Sequence, residues 1–480
     1  MSEPNQYETV IGLEVHAQLL TKTKLFCGDT TEFGREPNTQ VSPISLGHPG
    51  TLPKMNKAAI DLALRLGLAT NCTIVQQNYF ARKNYFYPDL PKGYQISQHT
   101  TPICRNGFLE ITSANGKKRI RINRIHIEED AGKSLHSDGD YSNLDFNRAG
   151  VPLLEIVTEP DFRSADEAAA YVTALRKLVR HLKVCDGNME QGSLRCDVNI
   201  SVRRTGDDIL GTRVEIKNLN SVRYIKKAIV CESERLVQQL ITGREILQQT
   251  KGFDENTSAT YVIRTKEDED DYRYFPDPDL PPFFISDEWI SRVKEDMPPL
   301  QQEIEKKLIS TYHLTEYDAK LIAEDSDSVN YFFQLSQESG QPKAAANWII
   351  GPVKKYCSEN DLSIDQFPVQ PGSMSRLLQL IHSGSVSYGI AVQKLFPQLI
   401  AEPATDLEAF ISAKNLQLQD ISETDKLIET ALDKYREKIT EYKNGKKGLL
   451  SLFVGEVMKL SKGKADAKWV TEKIIEKLKD

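Results

Sequence analysis

The chain has 480 residues, with 61 Lys and Arg against 68 Asp and Glu, a net charge of −7. Hydrophobic residues make up 39% and charged residues 27%, which suits two to four globular domains at about 100–200 residues each and excludes a disordered chain. The acidic balance excludes a polyanion binder that works by bulk charge, though not one with a local basic patch.

The opening MSEPNQYETV has no basic segment followed by an apolar one, so neither a secretion signal nor a transit peptide is expected. No apolar run is long enough to predict a membrane span. Seven scattered cysteines without a CxxC read as reduced thiols of a cytoplasmic protein.

In chain order, alternation predicts strands at Thr9–Leu19, Arg119–Asp130, Leu194–Val202 and Val214–Lys217. Helical spacing appears at Asn56–Leu68, Ser164–Leu182 and Ser221–Thr242. The two patterns do not alternate regularly, which predicts an α+β fold rather than a doubly wound sheet. The acidic run Glu267–Asp271 reads as a solvated loop. The pair Pro298–Pro299 marks a break, followed by predicted helices at Gln301–Tyr312, Glu316–Glu324, Ser328–Glu338 and Ala344–Tyr356. A second break falls at Glu402–Pro403. Beyond it, Leu449, Leu450, Phe453, Val454, Val457 and Met458 recur at helix spacing. The expected organisation is a mixed domain over 1–296, a helical domain over 297–404 and a small helical tail over 405–480.

Successive strand residues point to opposite faces. Glu14, His16 and Gln18 therefore share a face, as do Arg195, Asp197, Asn199 and Ser201, and Glu215 with Lys217. In His126–Asp130, periodicity puts His126, Glu128 and Asp130 on the polar face and turns Glu129 away. Ile120 and Ile122 have the opposite phase to Ile125 and Ile127, so a bulge near Asn123–Arg124 is expected. A solvated sheet face would explain any one of these strands. Several strands rich in carboxylates with His, Asn, Arg and Lys point instead to a cation among them. Oxygen donors with an occasional imidazole suit Mg²⁺ or Mn²⁺ better than zinc, and Mg²⁺ suggests nucleotide phosphates. Gly132–Lys133–Ser134 is not a P-loop, because the required first glycine falls at Ile127. A nucleotide site here calls for a carboxylate-lined antiparallel sheet of glutamine-synthetase-like type.

Long, unusual motifs carry a resemblance over essentially the whole chain. They are ETVIGLEVHAQL (8–19), LFCGDTTEFGREPNT (25–39), RKNYFYPDLPKGYQISQ (82–98), HIEEDAGKS (126–134), DFNRAGVPLLEIVTEPD (145–161), GSLRCDVNIS (192–201), EIKNLNS (215–221), DYRYFPDPDLPP (271–282) and KGLLSLFVGEVMKLSKGKADAKWV (447–470). With these the chain resembles the B-subunit family of tRNA-dependent Asp/Glu amidotransferases. The resemblance implies an ATP-dependent carbon–nitrogen ligase with glutamine as the amide donor. It would phosphorylate the side-chain carboxylate of a misacylated Glu-tRNA(Gln) or Asp-tRNA(Asn), which ammonia then attacks. It implies a heterotrimer in which a partner amidase, the A subunit, carries a Ser–Ser–Lys site and a small C subunit completes the assembly. It implies Glu14, His16, Glu129 and Glu155 as metal-binding and catalytic residues, with Glu128 the alternative that periodicity favours. Lys83, Ser193, Arg195, Asp197, Asn199 and Lys217 would hold phosphates and nucleotide.

The chain departs from the family at one place. Many members bind a structural zinc through CxC and CxxC, where this chain has Cys27, Asp29, Ser42 and Ser45. One thiolate among four positions predicts no zinc. Residues 442–480 carry ten Lys against five Asp and Glu. Lys443, Lys446, Lys447, Lys459, Lys462 and Lys464 are the candidate contacts to tRNA phosphates.

Overall fold

The computed structural model describes residues 6–113, 116–136, 141–265, 272–360, 362–418 and 420–479. The acidic run Glu267–Asp271 lies outside the described residues. The chain divides into two compact units, Met1–Pro298 and Pro299–Asp480. The first mixes strands and helices around a large sheet, and the second is helical.

In the first unit the strands are β1 (Tyr7–Gln18), β2 (Thr73–Ile74), β3 (Gln77–Asn78), β4 (Ala81–Asn84), β5 (Tyr94–Ser97), β6 (Cys104–Ser113) and β7 (Gly116–Glu129). They continue as β8 (Lys133–His136), β9 (Ser142–Asp145), β10 (Pro152–Thr158), β11 (Leu194–Arg204), β12 (Val214–Leu219), β13 (Gln249–Asp254) and β14 (Ala259–Thr265), with the two-residue β15 (Phe275–Pro276) and β16 (Phe283–Phe284). Nine of them form one sheet in the order β14-β13-β12-β11-β1-β10-β7-β6-β2.

Neighbours in the sheet run antiparallel except β12 and β13, which are parallel. That exception departs from the expected antiparallel sheet and follows from the connection. Helix α3 carries the chain from the end of β12 back to the start of β13, a crossover that a hairpin cannot make.

Three helices flank the sheet: α1 (Lys57–Ala69), α2 (Ala165–His181) and α3 (Val222–Ile241). Each starts on a side-chain cap, from Asn56, Ser164 and Ser221, and satisfies a backbone N–H that the helix leaves unpaired. In α2, Asp166 and Glu167 open the helix and Arg180 and His181 close it, which suits the helix dipole. Helix α2 lies on β1 and β6, and α3 on β11 and β12. The apolar residues of the central strands, Leu13, Val15, Val198 and Ile200, are fully buried.

The bulge expected near Asn123–Arg124 is present. Arg124 opposes Val157 and Ile122 opposes Thr158, so Asn123 is the extra residue of β7. Beyond it Ile125 and Ile127 return to the core face, and Arg124, His126 and Glu128 fall on the polar one.

The second unit opens with helices Gln301–Tyr312, Glu316–Ala323 and Ser326–Ser339. The helix expected over Ala344–Tyr356 is instead Pro342–Trp348, a π turn at Ile349–Val353 and Lys354–Glu359. Pro352 lies inside that π turn and has no N–H to give an α-helical ladder. Leu407 and Ile411 join the core of the preceding helices. A separate core begins at Ile428, so the change of core falls after the helix Leu407–Lys414 and not at Glu402–Pro403. Phe453 and Val457 are fully buried there, with Leu449, Leu450, Val454 and Met458 packed around them. Among the described residues, no helix is long and apolar enough to cross a membrane.

Cys27, Asp29, Ser42 and Ser45 come together in a hydrogen-bonded knot. One Asp29 carboxylate oxygen accepts from the Ser45 hydroxyl at 2.6 Å, the Ser42 hydroxyl at 2.9 Å and the Cys27 thiol at 3.2 Å. Burial pushes the Asp29 carboxyl up, but Ser45, Cys27 and Ser42 together hold it below its usual value. Asp29→Ala is expected to cost about 1–3 kcal/mol in urea unfolding at neutral pH. Because the folded carboxyl titrates below the unfolded one, this stability is complete above about pH 4 and fades as pH falls through the folded value. The gap between wild type and variant should therefore narrow in acid.

Candidate metal- and phosphate-binding site

Strand β1 sits between β10 and β11, and the register lines its polar residues up with theirs. His126 opposes Glu155, Glu155 opposes His16, and His16 opposes Arg195. These four therefore form one transverse row on a single face. One step along, Glu14 opposes Asp197, and Asn199 opposes Glu215 on the next strand. The face forms the floor of a cavity of about 730 Å³.

Two groups of donors lie on this floor. His16, Glu128 and Glu155 each offer an atom within 4.8 Å of the others, and so do Glu14, Asp197 and Glu215. In the first, His16 Nε2 is 3.5 Å from Glu155 and 3.7 Å from Glu128. His126 Nε2 approaches the same two carboxylates at 3.2 and 3.5 Å. Its Nδ1 is buried with no hydrogen-bond partner, an orphaned atom at the edge of the group. In the second, Asn199 donates to Glu14 at 2.9 Å, and Lys217 Nζ lies 3.0 Å from Glu215 and 3.6 Å from Asp197.

The electrostatics follow from burial and crowding. Burial and the neighbouring Glu155 push Glu14 up. Burial pushes His126 down, but Glu155 and Glu128 outweigh it and bring the imidazole to about 9. Burial pushes Glu155 up, yet His126 and His16 hold it well below the usual carboxylate range. Burial opposes the charge on Lys83, and Glu128 with Glu155 restores it and raises the ammonium. Carboxylates that raise one another fit a cation placed between them. Oxygen donors with one imidazole in each other's reach suit Mg²⁺ or Mn²⁺.

Of the residues expected at this site, Glu14, His16, Lys83, Glu128, Glu155, Arg195, Asp197, Asn199 and Lys217 line the cavity. Glu129 and Ser193 are not among the lining residues. Glu129 accepts the Ile96 N–H at 2.9 Å and pairs with Lys92, beside a second cavity of about 240 Å³. The strand phase that favoured Glu128 is the one the structure adopts. Ser193 donates to Asp186 at 3.2 Å. Arg195 is bound to Asp130 at 3.0 Å.

Sequence reasoning left out Glu215 and His126, although it had placed each on a polar face beside a chosen residue. It also left out the aromatic wall. Tyr274 stacks on His99 with ring centroids 4.0 Å apart, and Tyr272 stands 4.6 Å from Lys83 Nζ. No alternation marks those two tyrosines, because they lie outside any strand, just before the two-residue β15. The six tail lysines lie at the end of the helix Arg436–Lys443 and around the helix Leu450–Leu460. Lys443, Lys446, Lys447, Lys459 and Lys462 are exposed and Lys464 is half-buried. Lys446 pairs with Glu441, and Lys447 lies over the Tyr442 ring.

Fold and site together define a class: a mixed α/β protein whose sheet carries, on one face, paired donor groups able to hold divalent cations. The comparisons narrow it. Residues 9–291 match the family described as GatB/GatE catalytic domain, and residues 330–478 match the one described as GatB domain. A protein of Thermodesulfovibrio yellowstonii is 46% identical, with 99% of this chain and 100% of that one covered. One of Geobacter sp. strain M21 is 47% identical, with 98% and 99% covered, and one of Persephonella marina 45%, with 99% and 100% covered. All three are named as the B subunit of aspartyl/glutamyl-tRNA(Asn/Gln) amidotransferase. The chain belongs to this B-subunit family.

Glu155→Gln is expected to weaken Mn²⁺ binding at least tenfold, followed by the loss of the free-ion EPR signal during titration. Glu129→Gln is expected to leave it unchanged. Equal losses in the two variants would remove the preference for Glu128 over Glu129.

Proposed function

We propose that this chain is the component of a tRNA-dependent amidotransferase that uses ATP to activate the side-chain carboxylate of a misacylated Glu-tRNA(Gln) or Asp-tRNA(Asn). The sheet acts as a cradle of glutamine-synthetase-like type. A partner amidase (the A subunit), joined by a small C subunit, supplies ammonia from glutamine, and the work is done in the cytoplasm. The observation that carries this reading is the pair of donor groups on one sheet face, set among half-buried cationic side chains, in a chain that matches its B-subunit relatives from end to end.

The chemistry requires such a face. A carboxylate is a poor electrophile at its own carbon, so a leaving group must be installed. A carboxylate oxygen attacks the γ-phosphorus of ATP, and the bond to ADP breaks. Ammonia then attacks the acyl carbon, phosphate departs with that oxygen, and a proton is shed. His16, Glu128 and Glu155, with Glu14, Asp197 and Glu215, are the residues that would hold Mg²⁺. Bound there, Mg²⁺ would offset charge on the phosphoryl oxygens and help align the transfer. Lys217 and Arg213 supply positive charge for the ATP phosphates from the β12 side, and Lys83 faces the carboxylates from β4. Asn199 orients Glu14, and Asp130 holds Arg195 in place. The exposed lysines of the tail are suited to the tRNA backbone, which for folded RNA is recognised mainly by shape and phosphate contacts.

A non-catalytic tRNA scaffold is the competing account. Six inward carboxylates weigh against it, because a scaffold derives nothing from the repulsion they impose. In the test, the assembled complex receives Glu-tRNA(Gln), Mg-ATP and ammonium, without glutamine. Gln-tRNA should form, and Glu14→Gln or His16→Ala should lower the rate by at least 10³-fold, as loss of a group acting on the transferring phosphoryl does. Full activity in both variants would overturn the site. Charge reversal at Lys459 and Lys462 should raise the KM for tRNA about tenfold and leave the KM for ATP unchanged.

A further inference from the structure

We propose that Arg105 and Arg124 form an arginine pair that grips a phosphodiester at the 3′ end of the substrate RNA, on the β6 side of the cavity. This deepens the reading of the cavity as the aminoacyl-tRNA site and rests on it.

Arg105 and Arg124 are register partners on β6 and β7. The same transverse row continues through Val157 to Glu14 and Asp197. Directly opposed residues share a face, so both guanidinium groups stand on the cavity side, and both line it. Arg124 has this phase only because Asn123 is bulged out of register. Without the bulge its side chain would turn toward the core face. Like charges placed directly opposite each other destabilise a strand pair. The arrangement therefore calls for an anion.

Among the described residues, none is supplied. Several neighbouring cations are matched: Arg119 by Glu110 at 3.3 Å, Arg121 by Asp161 at 2.6 Å, Arg195 by Asp130 at 3.0 Å and Lys217 by Glu215 at 3.0 Å, whereas Lys83 lies over the Tyr272 ring. Among the described residues, neither Arg105 nor Arg124 has an ion-pair partner. Arg105 donates to the Thr100 carbonyl, and Arg124 to the side-chain oxygen of its neighbour Asn123 at 3.4 Å. Val157 separates Arg124 from Glu14, and two strand spacings put their Cα atoms about 10 Å apart. The acidic groups are in the same row but too far to quench the pair.

Phosphate is the anion that this geometry fits, because guanidinium forks bind its oxygens in parallel pairs. Position decides between the two phosphate-bearing substrates. The ATP phosphates must reach the donor groups, and Arg213 and Lys217 approach those from the β12 side. The reacting carboxylate meets the γ-phosphoryl there, so the rest of its carrier must leave in the other direction, toward β7 and β6. The gap between Glu14 and the arginines then accommodates the aminoacyl side chain and the terminal ribose. Arg105 is exposed and Arg124 half-buried, so the row opens to solvent at β6, where a polymer can enter.

The test uses the assembled complex with Glu-tRNA(Gln), Mg-ATP and ammonium. Arg105→Gln and Arg124→Gln should each raise the KM for the tRNA about tenfold. The KM for ATP should stay within about twofold, and the rate at saturating tRNA should persist. The slope of log affinity against log salt should fall by about 0.7 per arginine removed, the single-strand value. The melting midpoint should not drop, since one of two repelling charges has gone. A raised KM for ATP with that for tRNA unchanged would assign the pair to the nucleotide and overturn the proposal. No change in either KM, or a lowered midpoint that accounts for the loss, would overturn it too. Binding of unacylated tRNA, without ATP or ammonium, separates this proposal from the reading beneath it. A complex that makes no product but binds tRNA more weakly in the double variant retains the arginine pair and refutes the reaction.

Discussion

Six carboxylates, from Glu14, Glu128, Asp130, Glu155, Asp197 and Glu215, line one cavity on one sheet, and their mutual repulsion is the constraint around which the first unit is built. Buried like charges within a few ångströms cannot all stay ionised unless opposite charge is brought among them. The fold answers in two ways. Three of the carboxylates have a cationic side chain at hand, Asp130 with Arg195, and Glu215 and Asp197 with Lys217. All but Asp130 are also grouped so that a cation can sit between them, with His16 and His126 drawn upward by the same field. The helices α2 and α3 then have one task, to cover the opposite face so thoroughly that Leu13, Val15 and Val198 never compete for the polar side.

How much of this was legible depends on periodicity. Where a strand is long and regular, alternation sorts its side chains without further information. Glu14 with His16, and Asp197 with Asn199, were legible for that reason. The phase of β7 was legible as well, because two isoleucine pairs of opposite parity demand an inserted residue, and Asn123 is that residue. This phase, more than family likeness, separates Glu128 from Glu129. Both are carboxylates in one motif, yet adjacent strand residues face opposite ways, and only one can join His16.

The rest was hidden where local pattern does not carry the information. Glu215 and His126 were visible on polar faces, but nothing local says which carboxylates end up within reach across three strands. That is a property of register. The parallel pairing of β12 with β13 depends on where α3 returns the chain, and the strand sequences themselves are silent on it. The aromatic wall of Tyr272 and Tyr274 belongs to a connection. In the helical unit, Pro352 signalled a break that the apolar spacing of its neighbours masked, and the π turn absorbs it with helices on both sides. The second core begins later than the proline at Glu402–Pro403 suggested, because Leu407 and Ile411 still find their partners among the earlier helices.

The same distribution of charge explains why a net of −7 was a poor guide to the partner. Part of the acidity is turned inward, where it meets half-buried cationic side chains and the places a divalent ion would occupy, and it contributes little to what an approaching polyanion encounters. Basic charge is placed differently: five of the six tail lysines are exposed, and Arg105 and Arg124, at the rim of the cavity, have no ion-pair partner among the described residues. Screening confines each contribution to about 10 Å at moderate salt. A phosphate therefore responds to the charges in its immediate surroundings, and the sign of the whole chain matters less than which carboxylates have been neutralised and which arginines have not.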